Sequence, residues 1–388
     1  IINEIVAANP KLIPVKPILF IDRSPSVNAY AIGGNIIAVN LGLLSFVEYR
    51  EELAMVIAHE LSHNILNHPD KSMKERAEWL TSDEYKQSLN AVLESKYERL
   101  TRLKKVFEGY SFDRSKHSRY HESDADSLAL VLLKTARIAY SPEFFLRLDS
   151  SDIQYKQPLK NSIKNYFTAY NLAFEDTWTQ KRSRGLSTKS YNFKDTTGME
   201  DSLKTHPDCK DRYRKALQFP SAHNKLTPLA IAIREKATKM LVWNMFDKQS
   251  LTACLYRILQ EKDKGNKDEW YDFMLSNVFS GLYYADKQLS RFNAIGIVPK
   301  ETISKDYYEL QSLLEQIPRD SLEKYCKDMN NMSFWQNMPS DAKAFKSFLN
   351  TLNFNEETSN KIKETAAKEF SINNSNSMFN EFVSQFKK

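Results

Sequence analysis

The chain has 388 residues, 55 Lys and Arg against 49 Asp and Glu for a net charge of +6, and a composition that is 41% hydrophobic and 27% charged. That is ordinary for soluble protein and long enough for two domains with cores of their own. Three widely spaced cysteines, Cys209, Cys254 and Cys326, point to neither a disulfide framework nor a Cys zinc site, and no apolar run is long enough to span a bilayer. The basic stretches at 99–105 and 181–184 lack interleaved aromatics and any nucleic-acid motif, so they read as solvated surface and no nucleic acid is expected as a partner.

The chain starts at Ile1 rather than Met and shows no signal peptide, so a processed or trimmed N-terminus is expected. Ile18 to Ile21 and the segments around Gly33-Gly34 read as strands, with Gly-Gly as a two-residue hairpin turn. From Ser45 to His68, apolar residues recur at Leu53, Val56, Ile57, Leu61 and Ile65, which predicts a helix that Pro69 stops. Within it stands His59-Glu60-Leu61-Ser62-His63. Residues four apart share a helix face, so both imidazoles can bind one divalent metal. Glu60 then sits beside the metal, where a carboxylate can deprotonate a metal-bound water without being used as a ligand. The plainer alternative is a pair of histidines at the surface or the core edge.

A catalytic zinc takes three protein ligands and keeps one position open. His68 is off the spacing that returns to the face of the pair, and His117 and His121 lie in a charged, basic stretch. Glu122 is the better candidate, since it leads into the apolar run Leu128-Ala129-Leu130-Val131-Leu132-Leu133. Glu122 and Asp126 are four apart, with small Ala125 allowing close helix approach. One carboxylate can bind metal while the other receives the ring N–H of a ligating histidine. A solvated helix start favoured by the macrodipole is the alternative. Before it, Leu89, Val92, Leu93, Tyr97, Leu100, Leu103, Val106 and Phe107 form the apolar stripe of a charged helix that Gly109 ends.

Residues 150–205 are polar and broken, and the segment from Ser183 to Asp201 reads as a loop that could cover a cleft. His206-Pro207 follows; by itself it reads as a helix start. From Thr227-Pro228 the pattern becomes helical over 228–246, 250–262, 268–293, 301–316 and 340–351, with a last docking helix carrying Phe379, Phe382, Val383 and Phe386. Aromatics are dense at Trp270, Tyr271, Phe273, Phe279, Tyr283, Tyr284 and Phe292. A compact helical domain that caps the cleft is preferred here over stacked hairpins with a concave protein-binding face, because no fixed repeat period is visible.

Four segments in order resemble the M48 family of zinc metallopeptidases: Asn28-Ala29-Tyr30-Ala31 with Gly33-Gly34; Glu52-Leu53-Ala54 through Ala58-His59-Glu60-Leu61-Ser62-His63; Glu122-Ser123-Asp124-Ala125-Asp126; and His206-Pro207 with Arg212. The resemblance covers roughly the first 220 residues. It implies one zinc ion on His59, His63 and Glu122, with Asp126 hydrogen-bonded to a ligating histidine. Glu60 would activate the water, His206 would stabilise the oxyanion, and Arg212 would hold that end of the site. It implies also that Asn28, Ala29 and Tyr30 line the cleft on an edge strand to which an extended peptide adds. A buried thiol is expected at Cys209.

The expected fold is α+β and mainly helical: a zincin-like metallopeptidase domain at 1–222, with a small mixed sheet and the His-Glu-x-x-His helix, followed by an all-helical region at 223–388. The expected activity is zinc-dependent endopeptidase action on extended or unfolded polypeptide. The second reading is a latent protease acting mainly as a client-binding, chaperone-like quality-control protein, with a protein partner on the C-terminal helices. The bacterial periplasm or cell envelope is the favoured compartment, with the cytoplasm left open.

Overall fold

A computed structural model describes residues 1–149, 151, 155–180, 209–219, 225–355 and 360–387. In chain order these form helix α1 (Ile2–Ala8), strands β1 (Ile18–Asp22), β2 (Ala29–Gly33) and β3 (Ile36–Asn40), and helices α2 (Leu41–Phe46), α3 (Arg50–Ile65), α4 (His68–Thr81), α5 (Asp83–Glu94), α6 (Arg99–Thr135) and α7 (Glu143–Asp149). There follow α8 (Ile163–Ala169), α9 (Cys209–Ala216), α10 (Ile231–Asp247), α11 (Leu251–Asp263), α12 (Glu269–Lys287), α13 (Arg291–Ile295), α14 (Lys305–Gln316), α15 (Arg319–Asn330), α16 (Ser340–Phe354), α17 (Asn360–Asn373) and α18 (Asn380–Ser384). The chain is α+β and mainly helical. Among the described residues no helix is long and apolar enough to cross a membrane. Two compact units divide it: Ile1–Asp152 with Ser187–Thr238, and Ile153–Leu186 with Lys239–Lys388.

The first unit holds a three-stranded mixed sheet in the order β1-β3-β2, with β1 parallel and β2 antiparallel to β3. The β2–β3 turn lies one residue later than the Gly-Gly pair predicts. Gly34 and Asn35 occupy it with φ of 58° and 62°, the left-handed values a tight hairpin turn requires and that Gly and Asn reach most easily. Gly33, at φ 96°, instead sits at an irregularity of the β2 register. The inner face of the sheet, with Ala29, Ile37 and Val39, joins Ala54, Ala58 and Leu61 of α3 and Leu132 and Leu133 of α6 in one core.

α3 is buried around most of its girth, from Glu51 to Met55 and from Ile57 to Ser62, so it is a central helix and not a half-exposed one. Its N-terminus is fixed by carboxylates: Glu52 Oε2 accepts from the backbone N–H of Tyr49 at 3.1 Å and of Glu48 at 2.7 Å, and Glu51 accepts from that of Thr227 at 2.7 Å. These side chains tie the preceding turn and the Thr227 segment to the helix start and complement its dipole. Pro69 does not merely stop this helix. It occupies the first turn of α4, where its missing N–H costs nothing.

The single stripe expected over 89–107 is divided between α5 and α6, with Glu98 in the left-handed region between them. Gly109 does not end a helix: α6 runs 37 residues straight through it. One interior glycine costs about 1 kcal/mol, which the packing of α6 along α3 and α5 outweighs. That continuity carries Glu122 and Asp126 onto the helix lying against α3.

The second unit is helical around an aromatic-rich core. α12 runs through its middle with Tyr271, Phe273 and Phe279 at 1% exposure or less. Phe345 stacks on Phe379 at 4.7 Å and meets Trp243 edge-on at 5.3 Å. The dense aromatics of the sequence are therefore mostly core, although Phe292 is exposed. The stretch read as one helix over 268–293 breaks after Lys287, where Leu289 takes a φ of 57°, and α15 and α17 were not anticipated. α15 is more charged than its neighbours but buries Leu322, Tyr325, Cys326 and Met329 on one face.

Candidate metal centre

His59 and His63 project from one face of α3, and Glu122 reaches them from α6. His59 Nε2 and His63 Nε2 are 3.1 Å apart, and each lies 3.3 Å from a carboxylate oxygen of Glu122. These three ligand atoms are the group among the described residues able to hold a metal. Three ligands of a tetrahedral zinc with bonds of 2.0–2.1 Å stand about 3.3 Å from one another, so the donor set matches zinc in both chemistry and spacing. Two imidazole nitrogens facing each other and a carboxylate form a site that suits a divalent cation.

Behind His59 lies a chain of hydrogen bonds. Its Nδ1 lies 2.9 Å from Asp126 Oδ1. Asp126 in turn accepts from Arg212, at 2.8 Å from Nε and 2.6 Å from the second guanidinium nitrogen, a two-toothed pair that fixes both groups. Arg212 comes from α9 and lies over the Phe145 ring at 4.6 Å. Burial works against ionising Asp126, but Arg212 and His59 outweigh it and lower the carboxyl to about 2. Burial likewise opposes charge on His59, and the hydrogen bonds to Asp126 and Glu122 overcome it, raising the ring to about 10. Without metal, His59 therefore keeps a proton that a metal must displace.

Glu60 is buried at 6% exposure and lines a cleft of about 520 Å³ together with Asn28, Ala29, His59, Asp126 and Arg212. Tyr30 belongs to a different place. On β2 its side chain points opposite to that of Ala29, stands exposed, and donates to Asp22 Oδ2 at 2.7 Å. Strand alternation alone contained that signal. Cys209, expected as a buried thiol, is half-buried at the cleft, whereas Cys254 and Cys326 are buried in the second unit. His206 and the segment from Ser183 to Asp201 lie outside the described residues.

Sequence spacing misses two residues here. Gly42 has its α-carbon against the 25–26 loop, where a Cβ would meet Pro25 O at 2.1 Å and Ser26 O at 2.3 Å. This close approach shapes the cleft wall at Ser26 and Val27. His68, set aside on spacing, returns to the site: its Nδ1 is 3.0 Å from His63 Nδ1, and its ring stacks on His121 at 4.2 Å and 14°. Burial first, then the neighbouring His121 and His63, lower its pKa to about 4, so the ring is neutral.

Two histidines four apart on one helix and a glutamate from a second helix form a donor set that suits zinc, with the buried Glu60 beside it. The model of Peptidase family M48 matches residues 2–219, more than half of the chain, and the chain belongs to that family. It is also 28% identical over 133 residues to a Vibrio cholerae protein named "Putative beta-barrel assembly-enhancing protease". That alignment covers 33% of this chain and spans only 28% of the length of the relative.

Proposed function

We propose that the protein is a zinc-dependent endopeptidase that cleaves extended or unfolded polypeptide. The observation that carries this is the triangle of His59 Nε2, His63 Nε2 and Glu122, with Glu60 buried next to it at the cleft. One zinc ion held by these three residues would supply a Lewis acid for the scissile carbonyl and acidify the attacking water. Glu60 takes the proton of that water and later gives it to the leaving amine nitrogen. Asp126 accepts the Nδ1 proton of His59 and so keeps the Nε2 lone pair directed at the metal position. Arg212 holds Asp126 ionised. By the family resemblance, His206 would donate to the carbonyl oxygen as negative charge develops there.

β2 is an edge strand in the order β1-β3-β2, and Asn28 and Ala29 border the cleft. An extended peptide would add to this edge through its backbone, which favours unfolded segments over folded surfaces. The Tyr30 side chain is turned away from this edge, toward Asp22. The name of the Vibrio cholerae relative supports placing the work in a bacterial envelope on envelope polypeptides.

The test is degradation of an unfolded protein by the zinc-loaded wild type beside Glu60→Gln, with metal content measured in both. Cleavage by the wild type alone, with zinc in both, is expected. Absence of cleavage by a zinc-loaded wild type would overturn the reading and favour client binding without hydrolysis.

A further inference from the structure

The two histidines of the metal centre are supported in different ways. His59 has the carboxylate of Asp126 at its Nδ1, while His63 has another imidazole, that of His68, at 3.0 Å. On an uninterrupted helix a residue five positions beyond His63 would lie about 140° around the axis and face elsewhere. The chain avoids this by ending α3 at Ile65 and placing Asn67 in the left-handed region at φ 55°, so that His68 opens α4 and swings back to His63. The ring is 5% exposed and stacks on His121, the residue before Glu122. His68 therefore touches both a ligand from α3 and the turn of α6 that carries the third ligand.

The proton positions follow from the direction of the lone pairs. His63 Nε2 faces His59 and Glu122, and to offer a lone pair there a neutral ring must carry its proton on Nδ1. The partner at 3.0 Å must then accept, which places the lone pair of His68 on Nδ1 and its own proton on Nε2. We propose that His68 is a positioning residue for the metal centre: it accepts the Nδ1 proton of His63 and fixes the tautomer and ring orientation in which Nε2 points at the metal. This rests on the zinc reading above. His59 is backed by a carboxylate and His63 by an imidazole, so the two ligands differ in their support.

The experiment measures zinc affinity by competition with a chromophoric chelator in the wild type, His68→Leu and His68→Asn, together with long-range proton–nitrogen NMR spectra of the zinc-loaded wild type. Leu fills the space without an acceptor, whereas the Asn Oδ1 can stand where Nδ1 stood. The expected result is a loss of affinity of about 10- to 100-fold in His68→Leu, recovery of most of it in His68→Asn, and a His68 proton on Nε2. Equal affinity in wild type and His68→Leu, equal loss in both variants, or a His68 proton on Nδ1 would overturn the proposal while leaving zinc binding intact. A wild type that takes up no zinc would overturn the zinc reading itself. Circular dichroism of the zinc-free forms shows whether each variant is folded; should His68→Leu unfold, the comparison of His68→Asn with wild type and the NMR assignment decide.

Discussion

Both units pair buried charges, the second through Glu261 with Arg257, and they differ at one lysine. In the first, ionisable groups are buried in opposed, hydrogen-bonded sets: Asp126 with Arg212 and His59, Glu52 with Arg147 and the start of α3, and Glu122 against two imidazoles. In the second, the core is mainly aromatic and aliphatic, yet it encloses the ammonium of Lys346 at 2% exposure against the neutral hydroxyls of Ser276 at 2.6 Å and Ser280 at 3.1 Å. Burial lowers that lysine to about 8. Paired buried charges hold each other's ionisation and geometry, while a buried charge with only dipoles around it is a standing cost. The first arrangement is expected where a site must stay rigid and polar; the second is tolerated where a large apolar core has stability in excess.

The contrast is sharpest at the proposed metal site. Replacing Glu60 by Gln keeps shape and burial but removes the carboxylate proposed as base, and should lower peptide hydrolysis by about 10² to 10⁴-fold with zinc content unchanged, as read by single-turnover cleavage and metal analysis. Next is the support behind His59. Asp126→Ala leaves the buried Arg212 without its partner and should cost about 3–5 kcal/mol of stability, measured by denaturant unfolding. It should also weaken zinc binding; a stable variant with unaltered zinc affinity would show that this buried pair is dispensable.

In the second unit the sign should reverse. Lys346→Met removes a buried charge that has no counter-ion among the described residues and should stabilise the protein by about 1–4 kcal/mol at neutral pH. The pH dependence follows from the same lowered pKa. Between the unfolded value near 10.5 and the folded value near 8 the unfolded chain binds more protons, so stability due to this group rises as pH increases from 8 to 10.5 and is lost as pH falls back through 8. A shift of this size corresponds to about 3 kcal/mol; thermal unfolding of wild type and Lys346→Met across pH 7–10 should show the gain in the wild type only. The smallest effect belongs to an exposed pair outside both cores. Tyr30→Phe loses one hydrogen bond to Asp22 and should change stability by no more than about 1 kcal/mol.

Much of the fold and the donor set can be read from local pattern. The His59–His63 spacing, the pairing of Glu122 with Asp126 four residues on and most of the C-terminal helices rest on the period of 3.6 that the sequence carries directly, and the strands on short apolar runs around a Gly-Gly turn. The divided stripe at 89–107 and the passage of α6 through Gly109 were not legible, because a glycine's local cost is set against packing with α3 and α5 that no local window contains. α15 was missed for a related reason: its surface is charged, and only the neighbouring helices show that four of its side chains are core.

By itself the sequence determined which residue types could bind metal and which faces of their helices they would share, since helix geometry fixes the direction of side chains three and four apart. Only the tertiary structure decided what stands behind each histidine. Asp126 and Arg212 meet His59 from two helices, and His68 reaches His63 because one left-handed residue, Asn67, ends a helix and turns the chain back. Such partners are set by the placement of separate elements in space, and spacing along the chain holds no record of it.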